Sequence, residues 1–312
     1  MIDTHSHWIP PSYARALEDE GRNDPAVEAT RQVVKSAQGG EWLPDLEARF
    51  VEMDEAGVDI AVISIPPPGI GFGDPGRSAL AAQQINDDLI AAAERHPDRL
   101  RVMVTLPLPH PEEAIAEVAR VAEHPLVRGV ELFGVTTRYQ IDDPMFRPAL
   151  AAIADAGLVA QLHPAFEPPV EAMRAWGLGG SLGAVTGNSL AAARMILSGA
   201  LDEVHNLELI VTHLAGVLPY LVTRFDDLSG RGDAQHNVEF YLRNRMWTDN
   251  CSYHAPSLRC AVQTMGADRI MTGSDYPFRG HVSRCIEDIR DGGLSDHDAK
   301  FILHETATRW FA

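Results

Sequence analysis

The chain has 312 residues, 45% of them hydrophobic and 22% charged, which is typical of a soluble globular protein with a sizeable core. Its net charge of −18 disfavours nucleic acid and anionic membranes as partners. No stretch approaches the about 20 apolar residues of a membrane-spanning helix, and no basic segment precedes an apolar one at the N-terminus, so neither a membrane anchor nor a signal peptide is predicted. Three scattered cysteines without a Cys-x-x-Cys motif favour a reducing, cytoplasmic compartment.

Apolar runs and helical patterns alternate along the chain. The run 58–65 is nearly continuous in apolar residues, which is typical of a strand buried on both faces. Strands are predicted at residues 2–5, 58–65, 100–106, 127–133, 158–163, 207–213, 246–251 and 269–274. Helices are predicted at 45–56, 79–96, 111–123, 144–156, from Asn188 as the cap to about 204, at 216–228 and 255–265, and near 281–290 and 295–309.

Eight strands, each followed by a helix, are the pattern of a (β/α)8 TIM barrel. We therefore predict one domain over residues 1–312, with long irregular loops after strands 1 and 5, at 8–44 and 164–187. Trp176, in the second loop, is expected to be a packing anchor for that loop. A doubly wound sheet is the alternative fold, but no Gly-x-Gly-x-x-Gly motif follows a strand.

Polar side chains occur where the predicted strands end. His5 and His7 are two residues apart, so on an extended strand they project from one face. His163 ends strand 5, His213 ends strand 6 and Asp275 follows strand 8. Because such barrels hold their active sites at the carboxyl ends of the strands, these five residues predict a metal site.

Three imidazoles and one carboxylate suit Zn²⁺, with Mn²⁺ as the alternative. One imidazole left off the metal can move protons, and His213 is our candidate for that role. His254 and His281 follow strands 7 and 8 and are near enough to the same rim to reach a substrate. Phe278 closely follows Asp275, where stacking on a planar substrate and ordinary packing are equally expected.

Several motifs resemble the amidohydrolase superfamily and, within it, the aminocarboxymuconate-semialdehyde decarboxylase group. The motifs are Asp3-Thr4-His5-Ser6-His7, Glu52-Met53-Asp54-Glu55-Ala56-Gly57-Val58-Asp59, His213-Leu214-Ala215-Gly216-Val217-Leu218-Pro219-Tyr220 with Arg224, and Gly273-Ser274-Asp275-Tyr276-Pro277-Phe278. The segment 64–74 is most similar to the salicylate and methylsalicylate decarboxylase relatives of that group. The resemblance covers nearly the whole chain.

The resemblance implies one divalent ion held by His5, His7, His163 and Asp275, with His213 acting beside it on water or substrate. It also implies that Arg224 binds a substrate carboxylate across the interface of a homodimer. Binuclear members of the superfamily bridge two metals with a carboxylated lysine on a barrel strand. The only lysines here are Lys35, in the first loop, and Lys300, in the last helix, so one metal is favoured.

These observations predict a metal-dependent non-oxidative decarboxylase whose substrate is a small aromatic or unsaturated carboxylic acid. Asp275 is expected to take part in proton transfer as well as ligation, with His213 orienting it or sharing the role. The alternative is a hydrolase of an ester, lactone or amide that uses metal-bound hydroxide, because hydrolases share these ligands. A non-catalytic metal-binding barrel is the third interpretation.

Overall fold

The computed structural model describes residues 1–22, 27–28, 31–32, 46–71, 73–136, 139–165, 171–278 and 280–312. Within these ranges, eight parallel strands form one sheet in chain order. They are β1 (Ile2–His7), β2 (Ile60–Ser64), β3 (Leu100–Thr105), β4 (Val127–Phe133), β5 (Val159–His163), β6 (Leu209–Val211), β7 (Met246–Asp249) and β8 (Ile270–Met271). A short antiparallel hairpin of Val135–Thr136 and Tyr139–Gln140 follows β4.

The sheet closes between its first and last strands. The backbone N–H of Thr4 donates to the carbonyl of Thr272 at 2.9 Å, and the N–H of His7 donates to the carbonyl of Tyr276 at 2.7 Å. Because all eight strands run in one direction, their carboxyl ends meet at a single rim. The predicted (β/α)8 TIM barrel is therefore confirmed.

Helices surround the barrel, and most of them bury apolar side chains. They are α1 (Pro11–Gly21), α2 (Glu47–Ala56), α3 (Pro75–Arg95), α4 (Pro111–Val121), α5 (Arg147–Asp155), α6 (Leu182–Leu197), α7 (Ala200–Glu203), α8 (Leu218–Asp226), α9 (Val238–Asn244), α10 (Ala255–Met265), α11 (Ser283–Asp291), α12 (Asp296–Lys300) and α13 (Thr308–Phe311). Asp74 caps α3 by accepting from the N–H of Arg77, and Gly57 ends α2 with a φ of 73°. None of the helices among the described residues has the length and apolarity needed to cross a membrane.

The end of the barrel opposite the rim is filled by apolar side chains. Seven strands contribute one residue each to this layer: Ile2, Val62, Met103, Val159, Ile210, Trp247 and Met271. On β4 the position is Gly129, where a Cβ would lie 2.5 Å from Met103 Sδ. Ala307 and Phe311, near the C-terminus, pack against the layer. Inside the barrel, this apolar layer thus lies at the end opposite the rim, and the polar side chains of the candidate site lie at the rim.

The connections after β1 and β5 contain more regular structure than the sequence predicts. Helix α1 lies within the segment expected to be irregular, and it buries Tyr13 and Leu17 completely. After β5, a 3-10 segment (Glu171–Gly180) leads into α6, which begins six residues before the predicted cap, Asn188. Trp176 is 93% exposed, so its expected role as a packing anchor is wrong.

Candidate metal centre and active site

The rim brings four of the predicted site residues together. One potential ligand atom from each of His5, His7, His163 and Asp275 lies within 4.8 Å of all the others. Asp275 Oδ1 lies 3.3 Å from Nε2 of His7 and 3.7 Å from Nε2 of His5. The Nε2 atoms of the three histidines are buried and have no hydrogen-bond partner among the described residues. Buried ring nitrogens that converge on a carboxylate in this way fit a divalent cation.

The opposite ring nitrogen of each histidine is held by the protein. His5 Nδ1 lies 2.9 Å from Asp249 Oδ2, and His163 Nδ1 lies 2.8 Å from the carbonyl oxygen of Pro164. Since an ionised carboxylate or a carbonyl only accepts hydrogen bonds, both Nδ1 atoms carry the proton. Each Nε2 therefore presents a lone pair to the centre, which is how outer partners orient metal-binding histidines.

His7 is fixed through both its ring and its backbone. Its Nδ1 lies 3.1 Å from the hydroxyl of Ser64, which ends β2. Its carbonyl oxygen accepts a hydrogen bond from Arg49, a buried arginine on α2 that also donates to Ser6 Oγ at 2.8 Å. Neither Ser64 nor Arg49 was predicted to be a site residue. Arg49, on a helix outside the barrel, thus helps to fix the position of His7, a candidate ligand inside it.

Asp249 is the main functional residue that sequence reasoning missed. Besides holding His5, its carboxylate accepts the backbone N–H groups of His213 at 3.0 Å and Cys251 at 2.9 Å. Burial would raise the pKa of Asp249, but the charge of His5 and the hydrogen bond to it outweigh burial and hold this pKa below its ordinary value. Asp249 ends β7, but the predicted strand continued to residue 251, so the strand-end rule did not select Asp249.

His213 lies just beyond β6 in an unusual turn. His213, Leu214 and Ala215 have φ values of 59°, 56° and 54°, in the left-handed region that non-glycine residues rarely adopt. Two hydrogen bonds maintain the turn, from the N–H of His213 to Asp249 and from the N–H of Ala215 to Thr248 Oγ1 at 2.8 Å. Strained backbone of this kind persists where the surroundings enforce it, often at functional sites.

The turn aims the His213 ring at the metal centre. Its ring centroid lies 5.0 Å from that of His5 and 5.7 Å from that of His163. Its Nδ1 donates to the carbonyl of Cys251 at 3.0 Å, so Nε2 carries the lone pair. Burial and the neighbouring His5 lower the pKa of His213, which keeps the ring neutral and able to accept a proton.

The other charges of the centre are set by burial and by one another. Burial lowers the pKa of His7 to about 4 and that of His163 well below its usual value, so both rings are neutral. At His5, burial is outweighed by Asp249, which raises the pKa to about 9, so a metal ion binding at His5 Nε2 would displace a proton. At Asp275, burial is outweighed by the adjacent His7 and the charges of the histidines, which lower the pKa, so the carboxylate is ionised.

A second set of potential ligands shares His5 with the first and adds His213, Asp249 and Cys251. In this set, His5 is hydrogen-bonded to Asp249, and the Cys251 thiol lies 3.1 Å from the hydroxyl of Tyr253. Burial raises the pKa of that thiol well above its usual value. Lys300 lies on α12 and pairs with Glu305 at 2.6 Å, while Lys35 lies outside the described residues. The geometry therefore favours a single metal.

The remaining candidates lie at different distances from the centre. Phe278 is close, with its ring centroid 5.5 Å from that of His7. His254 lines a cavity beside His213, whereas His281 is largely exposed and lies 3.2 Å from Glu52. Arg224 lies exposed on α8. Within this one chain, the structure brings Phe278 and His254 to the site but not Arg224 or His281.

The cavity has a volume of about 640 Å³, which is within the range of small-molecule sites. It is lined by the turn after β6, by the start of α6 and by the segment after β7, which carries Cys251, Tyr253 and His254. His213 is half-buried at its wall. The cavity reaches His213, whose ring lies 5.0 Å from that of His5, but none of the four potential ligands is among its described lining residues.

A (β/α)8 barrel with three convergent imidazoles and a carboxylate at its carboxyl rim defines the class of metal-dependent amidohydrolase-type enzymes. The amidohydrolase family model Amidohydro_2 matches residues 2–312, so the chain belongs to that family. This confirms the resemblance seen in the sequence motifs.

Curated relatives with similar sequences are decarboxylases. A 2-amino-3-carboxymuconate-6-semialdehyde decarboxylase of Dictyostelium discoideum is 24% identical, over 89% of this chain and 81% of the relative. A gamma-resorcylate decarboxylase of Rhizobium radiobacter is 26% identical, over 81% of this chain and 85% of the relative. A 6-methylsalicylic acid decarboxylase of Penicillium expansum is 23% identical, over 90% and 86%.

Solved structures share the fold. A 5-carboxyvanillate decarboxylase of Sphingomonas paucimobilis superposes with a TM-score of 0.91 at 24% identity, covering 100% of this chain and 98% of the other. The 5-carboxyvanillate decarboxylase of Novosphingobium aromaticivorans, complexed with manganese and 4-hydroxy-3-methoxy-5-nitrobenzoic acid, also has a TM-score of 0.91 at 24% identity, covering 99% and 95%.

Proposed function

We propose that the chain is a metal-dependent non-oxidative decarboxylase, a carboxy-lyase acting on small aromatic or unsaturated carboxylic acids. The observation that carries this proposal is the buried convergence of three imidazole nitrogens and Asp275 beside a cavity of small-molecule size. The family assignment and the decarboxylase activity of the matched relatives support the reaction type.

His5, His7, His163 and Asp275 would hold one divalent ion. Zn²⁺ suits this donor set, and the manganese bound to the Novosphingobium decarboxylase makes Mn²⁺ the alternative. When bound, the ion would supply positive charge that stabilises the substrate carboxylate. Elemental analysis of protein purified without added metal should find one ion per chain, and two tightly held ions would contradict this assignment.

The chain's own residues orient the substrate and supply the proton. Decarboxylation first adds a proton to the carbon that bears the carboxylate, which makes that carbon tetrahedral. The bond to the carboxylate then breaks, carbon dioxide departs, and the electron pair of that bond restores the planar ring or alkene. Asp275 and His213 would carry this proton, and each must first take it up, because the Asp275 carboxylate is ionised and His213 Nε2, fixed as an acceptor by the carbonyl of Cys251, bears a lone pair. Phe278 offers an aromatic surface beside His7 against which a planar substrate packs.

A hydrolase of an ester, lactone or amide would use the same residues. The matched relatives favour decarboxylation, and a direct assay separates the two functions. Metal-loaded protein should release carbon dioxide from a panel of hydroxybenzoates and should leave p-nitrophenyl acetate nearly untouched, with His7→Ala as the metal-free control. Ester cleavage without carbon dioxide release from the panel would overturn the proposal.

The surface around α8 supports a homodimer in which Arg224 enters the neighbour's site. Tyr220 lies at the cavity and is 80% exposed, and Arg224 follows one helical turn later on the same face. Leu182, at the start of α6, and Trp176 are 51% and 93% exposed. Large exposed apolar side chains near a cavity mouth are typical of an interaction surface. An arginine from a partner would bind the substrate carboxylate through two parallel hydrogen bonds.

The compartment we propose is the cytoplasm. Cys251, Cys260 and Cys285 are all free thiols, as is usual where thiols are kept reduced. Fractionation of the source cells, with detection of the protein in the soluble cytoplasmic fraction, is the corresponding test.

A further inference from the structure

The peptide bond before Asp275 is held at both of its polar groups. The carbonyl oxygen of Ser274 accepts a hydrogen bond from the hydroxyl of Tyr253 at 2.5 Å. The N–H of Asp275 donates to the carbonyl of His5 at 2.8 Å. Because the φ rotation of Asp275 starts from this peptide plane, the two hydrogen bonds help to maintain its unusual value of 52°. Tyr253 therefore contacts the backbone that aims the Asp275 carboxylate at the metal centre.

The contacts of the Tyr253 hydroxyl have a defined direction. A carbonyl only accepts hydrogen bonds, so the hydroxyl must donate its single proton to Ser274. The Cys251 thiol lies 3.1 Å from the same hydroxyl oxygen and is therefore the donor of that second contact. The guanidinium carbon of Arg284 lies 4.4 Å from the centroid of the Tyr253 ring, a cation–π contact that helps to hold the ring in place.

The turn after β7 that carries Tyr253 also fixes His213. Two positions before Tyr253, the carbonyl of Cys251 accepts a hydrogen bond from His213 Nδ1 at 3.0 Å. The side-chain oxygen of Asn250 accepts the N–H of Gly273 at 3.1 Å, which ties the start of the turn to the segment after β8. Tyr253 has a φ of 52°, a strained value that the surroundings must enforce. This one turn thus contacts both segments that carry the proposed proton carriers.

We propose that Tyr253 is a positioning residue that holds Asp275 in the orientation needed for metal binding and proton transfer. The part that concerns proton transfer rests on the proposed function, whereas the part that concerns the metal can be tested without a substrate. Ser274 is only 1% exposed, so without the hydroxyl its carbonyl would be left buried and unpaired. Rotation of the peptide to relieve this would move the carboxylate of Asp275 away from His7 Nε2, which lies 3.3 Å from it.

Tyr253→Phe removes the hydroxyl and retains the ring, and competition with a chelator measures its effect on Zn²⁺ affinity. Binding should weaken by about 10- to 100-fold, the usual effect of losing a group that orients a ligand. The matched control is Tyr241→Phe on α9, which removes another buried hydroxyl that donates a hydrogen bond, in this case to Asp202 at 2.5 Å. The control should lower the melting temperature but change the Zn²⁺ affinity less than about twofold, because Asp202 lies on α7, outside the barrel.

A double-mutant comparison tests whether Tyr253 acts through Asp275. In an Asp275→Asn background, Tyr253→Phe should weaken Zn²⁺ binding less than about twofold further, because its effect passes through the missing carboxylate. An effect of full size in that background would overturn the inference. An unchanged affinity in folded Tyr253→Phe, even with a lower melting temperature, would show a merely structural role and would also overturn it. If Tyr253→Phe does not fold, Tyr253→Met is taken through the same measurements.

A carbon dioxide assay on the same preparations separates this inference from the proposed function. If the wild-type protein is active, Zn²⁺-saturated Tyr253→Phe should lose about 10- to 100-fold in kcat with little change in KM. Zn²⁺ affinity that depends on Tyr253 through Asp275, without carbon dioxide release from any hydroxybenzoate, would uphold the positioning role and defeat the proposed function. Carbon dioxide release by both the wild-type protein and Tyr253→Phe, with equal Zn²⁺ affinity and equal kcat, would defeat the positioning role and leave the function standing.

Discussion

Each imidazole of the centre has one nitrogen committed to the protein and one left for chemistry. For His213 the committed nitrogen is Nδ1, held by the carbonyl of Cys251, and the remaining Nε2 is a proton acceptor of lowered pKa. This division of roles follows from the acceptor that each Nδ1 meets. Substitution of a metal ligand and substitution of a proton carrier should therefore have different effects.

We predict that His213→Ala removes most turnover, by about 10²- to 10⁴-fold, because a group that moves a proton in the transition state is lost. Metal content should remain close to one ion per chain, because the proposed ligands are untouched. His7→Ala is the matched comparison and should lose both metal and activity. If His213→Ala is purified without metal while retaining its fold by circular dichroism, His213 is a ligand and the assignment of roles is wrong.

Asp249→Asn should weaken metal binding by about 10- to 100-fold, the usual effect of removing the group that orients a ligand. An amide retains an oxygen for the backbone N–H groups of His213 and Cys251, but it then turns an NH₂ group toward His5 Nδ1, which is itself a donor. Competition with a chelator measures the affinity. Unchanged affinity in a folded variant would show that Asp249 does not orient His5.

A site residue could be predicted from the sequence when it lies at the end of a clearly recognisable strand. The histidines and Asp275 follow clear apolar runs, so the parallel-strand rule placed them at one rim. Asp249 ends a weaker strand, and it acts through backbone and side-chain contacts to residues 36 and 244 positions away. Arg49 acts from a helix, and no local pattern connects it to His7. Partners of this kind become visible only when the chain is folded.

Among the elements, the turn after β6 depends on a close approach to α6. Gly216 has a φ of 65°, and a Cβ there would lie 2.0 Å from Ser189 Oγ and 2.6 Å from the carbonyl oxygen of Val185. Ser189 Oγ also accepts the N–H of Val217 at 2.8 Å. The glycine therefore allows the helix and the turn that carries His213 to be in direct contact.

Gly216→Ala should destabilise the protein by about 1–3 kcal/mol, through overpacking and an unfavourable φ, and should also reduce turnover because His213 moves with the turn. The control is Gly187→Ala, within α6, where an added Cβ meets nothing within 4 Å. Alanine in a helix interior is favoured over glycine by roughly 0.5–1 kcal/mol, so this control should be neutral or stabilised. Thermal unfolding compares them, and equal melting temperatures for the two variants would contradict the argument.

The elements that the sequence did not predict share a physical cause. Helix α1 and the 3-10 segment after β5 are rich in charge, proline or glycine, so their periodicity is weak. Helix α1 is stabilised by buried side chains such as Tyr13 and Leu17, whereas none of the described side chains of the 3-10 segment is buried. The length of β8 was overestimated because the chain leaves the hydrogen-bonded sheet soon after Met271. It then bends toward Asp275, which has a φ of 52°. Tertiary contacts decide these boundaries, and local propensity does not.

For the molecule as a whole, the proposed dimer makes one site depend on two chains. Arg224→Ala and His163→Ala should each be nearly inactive alone, for different reasons. Random exchange of subunits should restore about one quarter of the wild-type activity, because half of the dimers are mixed and each has one complete site. Size-exclusion chromatography should show a dimer throughout.

Failure of the mixture to regain activity, or a monomer in solution, would refute a shared site. If His163→Ala folds poorly, Asp275→Asn can serve as the metal-site variant instead. Arg224→Ala protein alone, taken through the same exchange procedure, is the control.

The hydrogen bond that closes the barrel, from Thr4 to Thr272, joins residues 268 positions apart, and the predicted ligands lie on both sides of that closure. While the chain emerges from a ribosome, His5 and His7 are exposed long before Asp275 has been made. No fragment that ends before β8 has the full ligand set or a sealed barrel. Uptake of the metal would therefore be coupled to the end of translation. A prematurely terminated chain would be released without metal and with an unpaired edge on β1. Such a chain would be inactive and a substrate for degradation.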